Sequence, residues 1–365
     1  MIGYIDSSSF PVYTYGEMFI YPGLYNSYYM IWEPTSLSGY FSMNYDDSSS
    51  SYLFNDYNGW FTDRDGLRSY LERSTFYSVG ITYLETNVEC IYSNAASNCS
   101  LLKSINLPNC KEIRNWGFTS DKSLEYISLP VCEYIGGWAF ESTAVSSIIL
   151  PECLSISDAA FEYCSHLAYI SAPKCTYIGD YVFEGCKSLS RVYIPSVSMI
   201  GDHTFEECSN LKYINMNSCN WVGYRAFCGC SRLLSISVPY LEYVGSEAFA
   251  SCRTLSTVSL PAVKWIWTQA FTNCYSLKSV YISGTCSYIR NLAFNSCSKL
   301  STITLNLSSV CKLTTDEYIT AGLHFYDTPI ASGTGRIYVR SSLVSAYKRA
   351  SFWSEYSSQI YPINN

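Results

Sequence analysis

The stretch IGDYVFEGCKSLSRVYIP, residues 178–195, recurs along the chain in recognisable form. Residues 200–217 read IGDHTFEECSNLKYINMN, and residues 222–239 read VGYRAFCGCSRLLSISVP. A phenylalanine marks the same place in nine successive copies, at steps of 21 to 23 residues: Phe118, Phe140, Phe161, Phe183, Phe205, Phe227, Phe249, Phe271 and Phe294. A period near 22 residues is typical of a solenoid, in which each copy forms one turn that stacks on the next.

Each recurring letter of the repeat has a physical role. The phenylalanines are expected to fill the middle of each turn and to stack as one internal column. The glycine after the first isoleucine is expected to allow a left-handed or tight bend. The segment L-x-x-I-x-L alternates as a short strand does, with isoleucine and the last leucine inward, and proline then ends the strand at a corner. One turn alone cannot bury its apolar side, so the turns must stack.

The repeat resembles that of the BspA-like leucine-rich repeat family, which carries the same IGxxAFxxCxxLxxIxLP core, and the resemblance covers roughly residues 88–306. It implies a right-handed solenoid of short parallel strands, about ten 22-residue repeats long, with caps at both ends. Members of that family are mostly bacterial and protist surface or secreted proteins, and those with a known role tend to bind host proteins or other cells. An extracellular or cell-surface location is therefore expected.

Three regions are predicted along the chain. Residues 1–80 lack the repeat and are expected to form an N-terminal cap or a small appended domain, followed by the solenoid at 81–310. Residues 311–365 are expected to form a C-terminal capping segment with a strand and short helices, which covers the open edge of the last turn. Within it, Ser342 is the predicted helix N-cap, with Leu343, Tyr347 and Ala350 on one helical face.

Composition excludes several partners. The net charge of -7, with 23 Lys+Arg and no basic run, argues against nucleic acid. No stretch approaches 18 consecutive apolar residues, so no membrane insertion is expected. The start, MIGYIDSSSFPVYTYG, has neither a basic nor an apolar signal region, so the sequence as printed carries no recognisable signal peptide.

Most of the 17 cysteines recur at two fixed places in the repeat. One column lies three residues after the phenylalanine or its Ala96 equivalent: Cys99, Cys164, Cys186, Cys208, Cys230, Cys252, Cys274 and Cys297. The other follows the proline corner: Cys110, Cys132, Cys153, Cys175, Cys219 and Cys286. Free cysteine behaves as a small buried hydrophobe, which predicts a cysteine ladder in the wall. Disulfides between turns and a zinc site at Cys228 and Cys230 are weaker alternatives.

No catalytic, metal or cofactor site is predicted. The three histidines, His166, His203 and His324, come without a nucleophile or carboxylate that the sequence can pair with them. Residues 61–72, FTDRDGLRSYLE, match part of a calcium-binding loop, but Phe61 takes the place of its first carboxylate. Asp65 is better interpreted as the cap of a short helix. An active site within residues 1–80 stays open as an alternative.

The outward positions of the strand carry the candidate site. Large side chains concentrate there in the middle repeats: Tyr126, Tyr169, Arg191, Tyr193 and Tyr213. Tyrosine and arginine are frequent energetic anchors of interfaces, although tyrosine also suits any strand surface. A second aromatic column lies on a different face and is interpreted as stabilising stacking: Tyr134, Tyr177, Trp221, Tyr243, Trp265 and Tyr288.

These observations favour a non-enzymatic recognition and adhesion protein. It would bind a protein or glycan, host-derived ligands included, through the strand face of the solenoid. The alternative is a structural or phage virion component associated with the tail, which the missing export signal favours.

Overall fold

A computed structural model describes most of the chain. It covers residues 89–91, 93–315 and 323–364, together with six strands before residue 86. The chain divides into two compact units, residues 1–172 (unit 1) and 173–365 (unit 2). Both units are parallel β-solenoids whose turns repeat about every 22 residues, about 12 turns in the described part of the chain. The predicted fold class is confirmed.

Two series of strands build unit 1. Each turn contributes a three-residue strand to one face, named face A, and a two-residue strand to a second, named face B. The strands of face A are Ser104–Asn106, Tyr126–Ser128, Ser147–Ile149 and Tyr169–Ser171. The strands of face B are Cys90–Ile91, Glu112–Ile113, Tyr134–Ile135 and Ser155–Ile156. Paired strands are parallel, and the inward isoleucines of paired strands lie opposite one another, as Ile148 does opposite Ile170.

Antiparallel strands precede the solenoid in unit 1. Ile2–Ile5, Tyr28–Glu33 and Glu17–Pro22 form one sheet, with Tyr28–Glu33 in the centre. Tyr40–Tyr45 pairs with Ser51–Asn55 on one side and with Ile81–Glu85 on the other. Ile81–Glu85 then pairs in parallel with Ser104–Asn106 of face A. The capping role of residues 1–80 stays a prediction, and the calcium-loop-like stretch at 61–72, with its helix cap Asp65, lies outside the described residues.

Unit 2 contains the same two kinds of strand. Its face A strands are Arg191–Tyr193, Tyr213–Asn215, Thr257–Leu260, Ser279–Gly284, Thr302–Leu307, Arg336–Val339 and Ile360–Pro362. Its face B strands are Tyr177–Ile178, Met199–Ile200, Trp221–Val222, Tyr243–Val244, Trp265–Ile266, Tyr288–Arg290 and Lys312–Thr314. The turn at 235–237 forms no strand, so face A of unit 2 consists of two separate sheet segments.

The phenylalanine column is the centre of each unit. In unit 1, Phe140 stacks on Phe118 and Phe161 with ring centroids 5.4 and 5.2 Å apart. In unit 2 the stack runs from Phe183 to Phe294 at 5.1 to 5.4 Å. All nine rings are fully buried. The prediction of an internal stack is confirmed within each unit.

The stack of unit 2 has one more member than the repeat predicts. Phe325 lies against Phe294 with ring centroids 5.9 Å apart and is also fully buried. It comes 31 residues after Phe294 in the sequence, instead of 21 to 23, so the period does not reveal it.

The bends of the repeat differ from the prediction. Left-handed backbone occurs two residues before each phenylalanine, where φ is 52° to 60° in residues as different as Trp138, His203 and Arg225. It occurs again two residues after the phenylalanine, where glycine is present only at Gly185 and Gly229. The glycine after the isoleucine is not left-handed. It is needed because the turns approach closely: a Cβ at Gly245 would lie 2.5 Å from the carbonyl oxygen of Gly223.

All 17 cysteines are buried and remain thiols, as the prediction of a cysteine ladder in the wall requires. The thiol of the first column donates a hydrogen bond to the carbonyl of the phenylalanine one turn earlier, as Cys164 does to Phe140 at 2.9 Å and Cys208 to Phe183 at 3.0 Å. The thiol of the second column donates to the carbonyl two residues later, as Cys219 does to Trp221 at 3.1 Å. Each column therefore gives a weak donor to a backbone acceptor inside the wall.

The C-terminal segment packs on the last turn of unit 2. It contains the strand Arg336–Val339, a 3-10 turn Ser341–Leu343, the α-helix Val344–Arg349 and a 3-10 helix Trp353–Gln359. The predicted N-cap is wrong, because Ser342 lies inside the 3-10 turn and Leu343 precedes the α-helix without a side-chain capping bond. Tyr347, predicted on the helical face, is fully buried.

Candidate binding surface

Face A of unit 1 exposes a row of apolar and aromatic side chains. The side chains before and after the inward isoleucine face outward, as predicted. Tyr126 is 67% exposed, and Tyr169 is partly exposed. Ile149 is 61% exposed and lies opposite Ser171, and Tyr169 lies opposite Ser147 in the same strand pair. Ile149 was not selected from the sequence, because an isoleucine in a strand is normally interpreted as a core residue. Its position directly after the inward isoleucine nevertheless indicates an outward side chain.

Face A of unit 2 brings the other three predicted residues together. Arg191 lies directly opposite Tyr213 in the parallel pair, and Tyr193 opposite Asn215. The guanidinium of Arg191 lies 5.9 Å from the centre of the Tyr213 ring. Tyr213 is 51% and Tyr193 42% exposed. These residues, Arg191, Tyr193 and Tyr213, are named the tyrosine patch; the role of all five predicted residues in ligand binding stays a prediction.

A second group of polar and aromatic side chains lies on face A near the end of unit 2. The hydroxyl of Tyr281 accepts a hydrogen bond from the amide of Asn306 at 3.1 Å. Arg340 donates to the side-chain oxygen of Asn306 at 2.8 Å. The guanidinium of Arg336 lies 5.3 Å from the centre of the Tyr361 ring. The sequence did not predict this group because the repeat ends near Leu307.

His203 belongs to an ion-pair network at a corner of unit 2. Its ring stacks on Tyr181 at 4.5 Å and contacts the carboxylate of Glu206. Arg225 donates to the same carboxylate at 2.9 Å and pairs with Glu247 at 2.5 Å. Burial alone raises the pKa of Glu206, but the bonds from Arg225 and His203 outweigh it and lower the pKa below its usual value. This arrangement holds adjacent turns together and presents no nucleophile.

The other two histidines lie elsewhere. His324 is buried in unit 2, with its Nε2 3.0 Å from the carbonyl oxygen of Thr314. His166 is exposed in unit 1 beside Ser165.

The aromatic column of face B has two kinds of member. Trp221 and Tyr243 stack with ring centroids 3.5 Å apart, which is the stabilising contact the sequence predicts. Trp265 and Tyr288 instead border a pocket of about 240 Å³, which Ile266, Trp267, Arg290, Thr314 and Thr315 complete.

Metal-binding clusters and membrane-spanning helices are both absent from the described residues. No three His, Cys, Asp or Glu side chains there are grouped to hold a metal ion. Cys230 of the proposed zinc pair donates its thiol to the carbonyl of Phe205 at 3.1 Å. Nor does any helix among these residues combine the length and apolarity that a bilayer crossing requires.

Comparison with known proteins gives matches of two kinds. The family model described as "BspA type Leucine rich repeat region" matches in six copies, over residues 68–168, 154–263 and 222–316. A leucine-rich repeat protein from Bacteroides ovatus is 21% identical, with 88% of this chain and 90% of that chain covered and a TM-score of 0.42. A leucine rich cell surface protein from Faecalibacterium prausnitzii is 19% identical, with 79% and 84% covered and a TM-score of 0.40.

The pneumococcal vaccine antigen PcpA is 18% identical, with 77% of this chain and 86% of that chain covered and a TM-score of 0.38. The curated proteins gave no significant match. The matched repeats extend over more than half of the sequence, and their phenylalanines form the buried column of each unit. The chain therefore belongs to the BspA-type leucine-rich repeat family.

Proposed function

We propose that this protein is a non-enzymatic recognition protein that binds a protein ligand through face A. The observation that carries the proposal is the tyrosine patch, in which Arg191, Tyr193 and Tyr213 lie side by side and exposed on two paired strands. Tyr126 and Tyr169 hold the same outward positions on face A of unit 1, and their predicted role in ligand binding is a separate proposal for that unit.

The chemistry of the patch supports a protein ligand. Tyrosine offers a large, rigid contact surface with a polar tip, and ordering its two side-chain torsions costs little entropy. Arginine and tyrosine are among the residues that carry most of the binding energy in protein interfaces. The strand pairing fixes the backbone beneath them, so the surface is organised before the ligand arrives. A glycan is the other ligand class that the same surface could accept.

We place this activity outside the cell or at its surface. The family resemblance supports that location, and burial of the cysteines would protect their thiols there. Thiols in an oxidising compartment must be protected or paired, and all 17 here are buried. Burial also raises the pKa of the Cys132 thiol to about 12, so little reactive thiolate forms there near neutral pH.

A double substitution tests the proposal. Y193S/Y213S removes two exposed rings from the full chain and leaves the inward residues unchanged. Against a panel of immobilised extracellular-matrix and serum proteins, we expect the wild-type chain to bind at least one member, and the variant to bind it at least tenfold more weakly. Y240S is the matched control, because Tyr240 is 65% exposed in unit 2 but does not lie on a strand of face A.

Unequal folding would confuse the result, so the unfolding midpoint of both variants is measured alongside binding. Equal affinity of Y193S/Y213S and wild type for that protein would exclude the tyrosine patch as the ligand-binding surface. A wild-type chain that binds no member of the panel would contradict a protein ligand of this kind.

A further inference from the structure

The turn of unit 1 that contains Ala96 lacks two hydrogen bonds that the repeat makes elsewhere. In a later turn, the carbonyl of Phe205 accepts the N–H of Cys208, three residues on, at 3.2 Å. It also accepts the thiol of Cys230, from the following turn, at 3.1 Å. Ala96 holds the place of this phenylalanine and is buried, and its carbonyl has no donor among the described residues.

Asp121 accounts for both differences. It occupies the place that cysteine has in most turns, three residues after Phe118. Its Oδ1 accepts the N–H of Cys99, the group that in the other turns donates to the carbonyl equivalent to that of Ala96. Because Asp121 replaces a cysteine, no thiol is present to donate to that carbonyl either.

The second carboxyl oxygen of Asp121 has no hydrogen-bond partner. The side chain is fully buried, and Oδ2 makes no hydrogen bond in the part of the chain that the structure describes. Buried polar groups are nearly always hydrogen-bonded, and each exception calls for an explanation. Two acceptors lack a donor here, Oδ2 and the carbonyl of Ala96. One proton on Oδ2 satisfies both, because a protonated carboxyl group is a donor.

The surroundings of Asp121 favour the neutral acid. Burial raises the pKa of Asp121 well above its usual value and outweighs the N–H of Cys99, which lowers it. The Cys99 thiol faces Asp121 from the preceding turn, and its own pKa is raised by burial, so it stays uncharged. Thr143 holds the same place in the following turn and does not ionise, and Lys122, the next residue in the chain, is exposed.

We propose that Asp121 is a carboxylic acid at neutral pH and acts as a pH-sensitive lock between the turns that contain Ala96 and Phe118. Its Oδ2–H donates to the carbonyl of Ala96, as the thiols do in later turns, while Oδ1 keeps the N–H of Cys99. Loss of the proton leaves a buried negative charge with an unpaired carbonyl. Separation of the two turns relieves this by bringing the carboxylate to water.

The direction of the pH dependence follows from the two states of Asp121. In the separated turns its pKa is the ordinary value of about 3.9, and in the closed turns it is raised. Its contribution to closure is therefore fully present below about pH 3.9 and is lost as pH rises through the folded-state pKa. Between these two pKa values, the equilibrium constant for opening rises about tenfold per pH unit. Opening separates Ser104–Asn106 from Tyr126–Ser128, which pair in parallel across this boundary.

Hydrogen exchange and infrared spectroscopy of the full chain test the proposal. After correction for the intrinsic exchange rate, protection of Ser104–Asn106 should fall at least tenfold between pH 5 and pH 7. In D121N the amide oxygen keeps the N–H of Cys99 and the amide nitrogen donates to Ala96, so protection should stay constant over this range. The infrared band of a protonated buried carboxyl should be present in wild type at pH 7 and absent from D121N.

Two further variants complete the experiment. D121C restores the residue of the later turns, so its protection should also be independent of pH. D158N is the matched control, because Asp158 is an exposed aspartate of the same unit, and it should behave as wild type does.

Several results would overturn the proposal. One is the same infrared spectrum of the carboxyl groups in wild type and D121N at pH 7. Another is protection of Ser104–Asn106 in wild type that does not change between pH 5 and pH 7. Lower protection in D121N than in wild type at pH 7 would show that the fold requires an ionised carboxylate at this position.

Discussion

At the level of single residues, phenylalanine holds adjacent turns together through both faces of its ring. Phe205 has a ring on each side, at 5.2 Å from Phe183 and 5.1 Å from Phe227. A side chain in this place therefore stabilises two interfaces between turns, and no other residue of the repeat fills the same volume.

Replacing Phe205 with alanine should lower the free energy of unfolding by about 3–5 kcal/mol, because it removes a fully buried ring and leaves a cavity. Urea unfolding followed by circular dichroism measures the loss. Y240A removes a ring that is largely exposed and should change the free energy by less than about 0.5 kcal/mol. A similar small change in F205A would show that the column does not support the fold.

The cysteines make a second prediction at this scale. Burial raises the pKa of Cys164 to about 11 and that of Cys219 to about 11, and thiolate is the reactive form. At pH 8, we expect a thiol-reactive disulfide reagent to label almost none of the 17 cysteines in the native protein, and all of them in guanidinium chloride. Rapid labelling of many thiols in the native state would contradict the buried ladder.

At the level of elements, the features that recur as residue types could be predicted from the sequence, and the positions of left-handed backbone could not. Phenylalanine, cysteine and inward isoleucine recur as residue types, so their columns are visible in the sequence. The left-handed residues do not, because tryptophan, histidine and arginine all occupy that position. The glycine recurs in the sequence, so its position could be predicted, but the reason for it could not. Glycine is needed there because the preceding turn lies too close for a Cβ atom, and the sequence gives no distances between turns.

The corner network makes a prediction on pH. In E206Q, Arg225 and His203 lose a charged acceptor, so we expect the free energy of unfolding at pH 7 to fall by about 1–2 kcal/mol. The pKa of Glu206 is lower in the folded state than in the unfolded state, where a glutamate has a pKa of about 4.3. Its contribution is therefore present above that pH and is lost as pH falls through the folded-state pKa.

Urea unfolding of wild type and E206Q from pH 7 to pH 3 checks this pattern. The two curves should be separated at neutral pH and converge in acid. A constant separation over the whole range would mean that the ionised carboxylate contributes nothing specific.

At the level of the whole molecule, departures from the repeat carry the information that the repeat itself cannot. The tyrosine patch could be predicted, because large residues stood out in an outward column of the sequence. The face B pocket was not predicted, although the replacement of the recurring glycine by Trp267, Arg290 and Thr314 is visible in the sequence. Stacked turns supply a regular frame, and irregular residues upon it supply specific chemistry.

The end of the solenoid tests how far stability extends along the chain. The Trp353 indole donates to the carbonyl of Cys311 at 2.7 Å, and the Tyr347 hydroxyl accepts from the N–H of the same residue at 3.0 Å. These bonds satisfy backbone groups of the last turn that no further turn could reach. We infer that the C-terminal segment is a cap of the kind repeat proteins require.

W353A should therefore loosen the last turns without unfolding the rest of unit 2. In a stack with nearest-neighbour coupling, we expect hydrogen exchange to accelerate at least tenfold in Lys312–Thr314 and Arg336–Val339, and to stay unchanged in Arg191–Tyr193. Y361A, which alters a partly exposed ring on the same segment, is the control. Equal acceleration in all three strands would mean that unit 2 unfolds as a single cooperative body, and no acceleration would mean that Trp353 is not a cap.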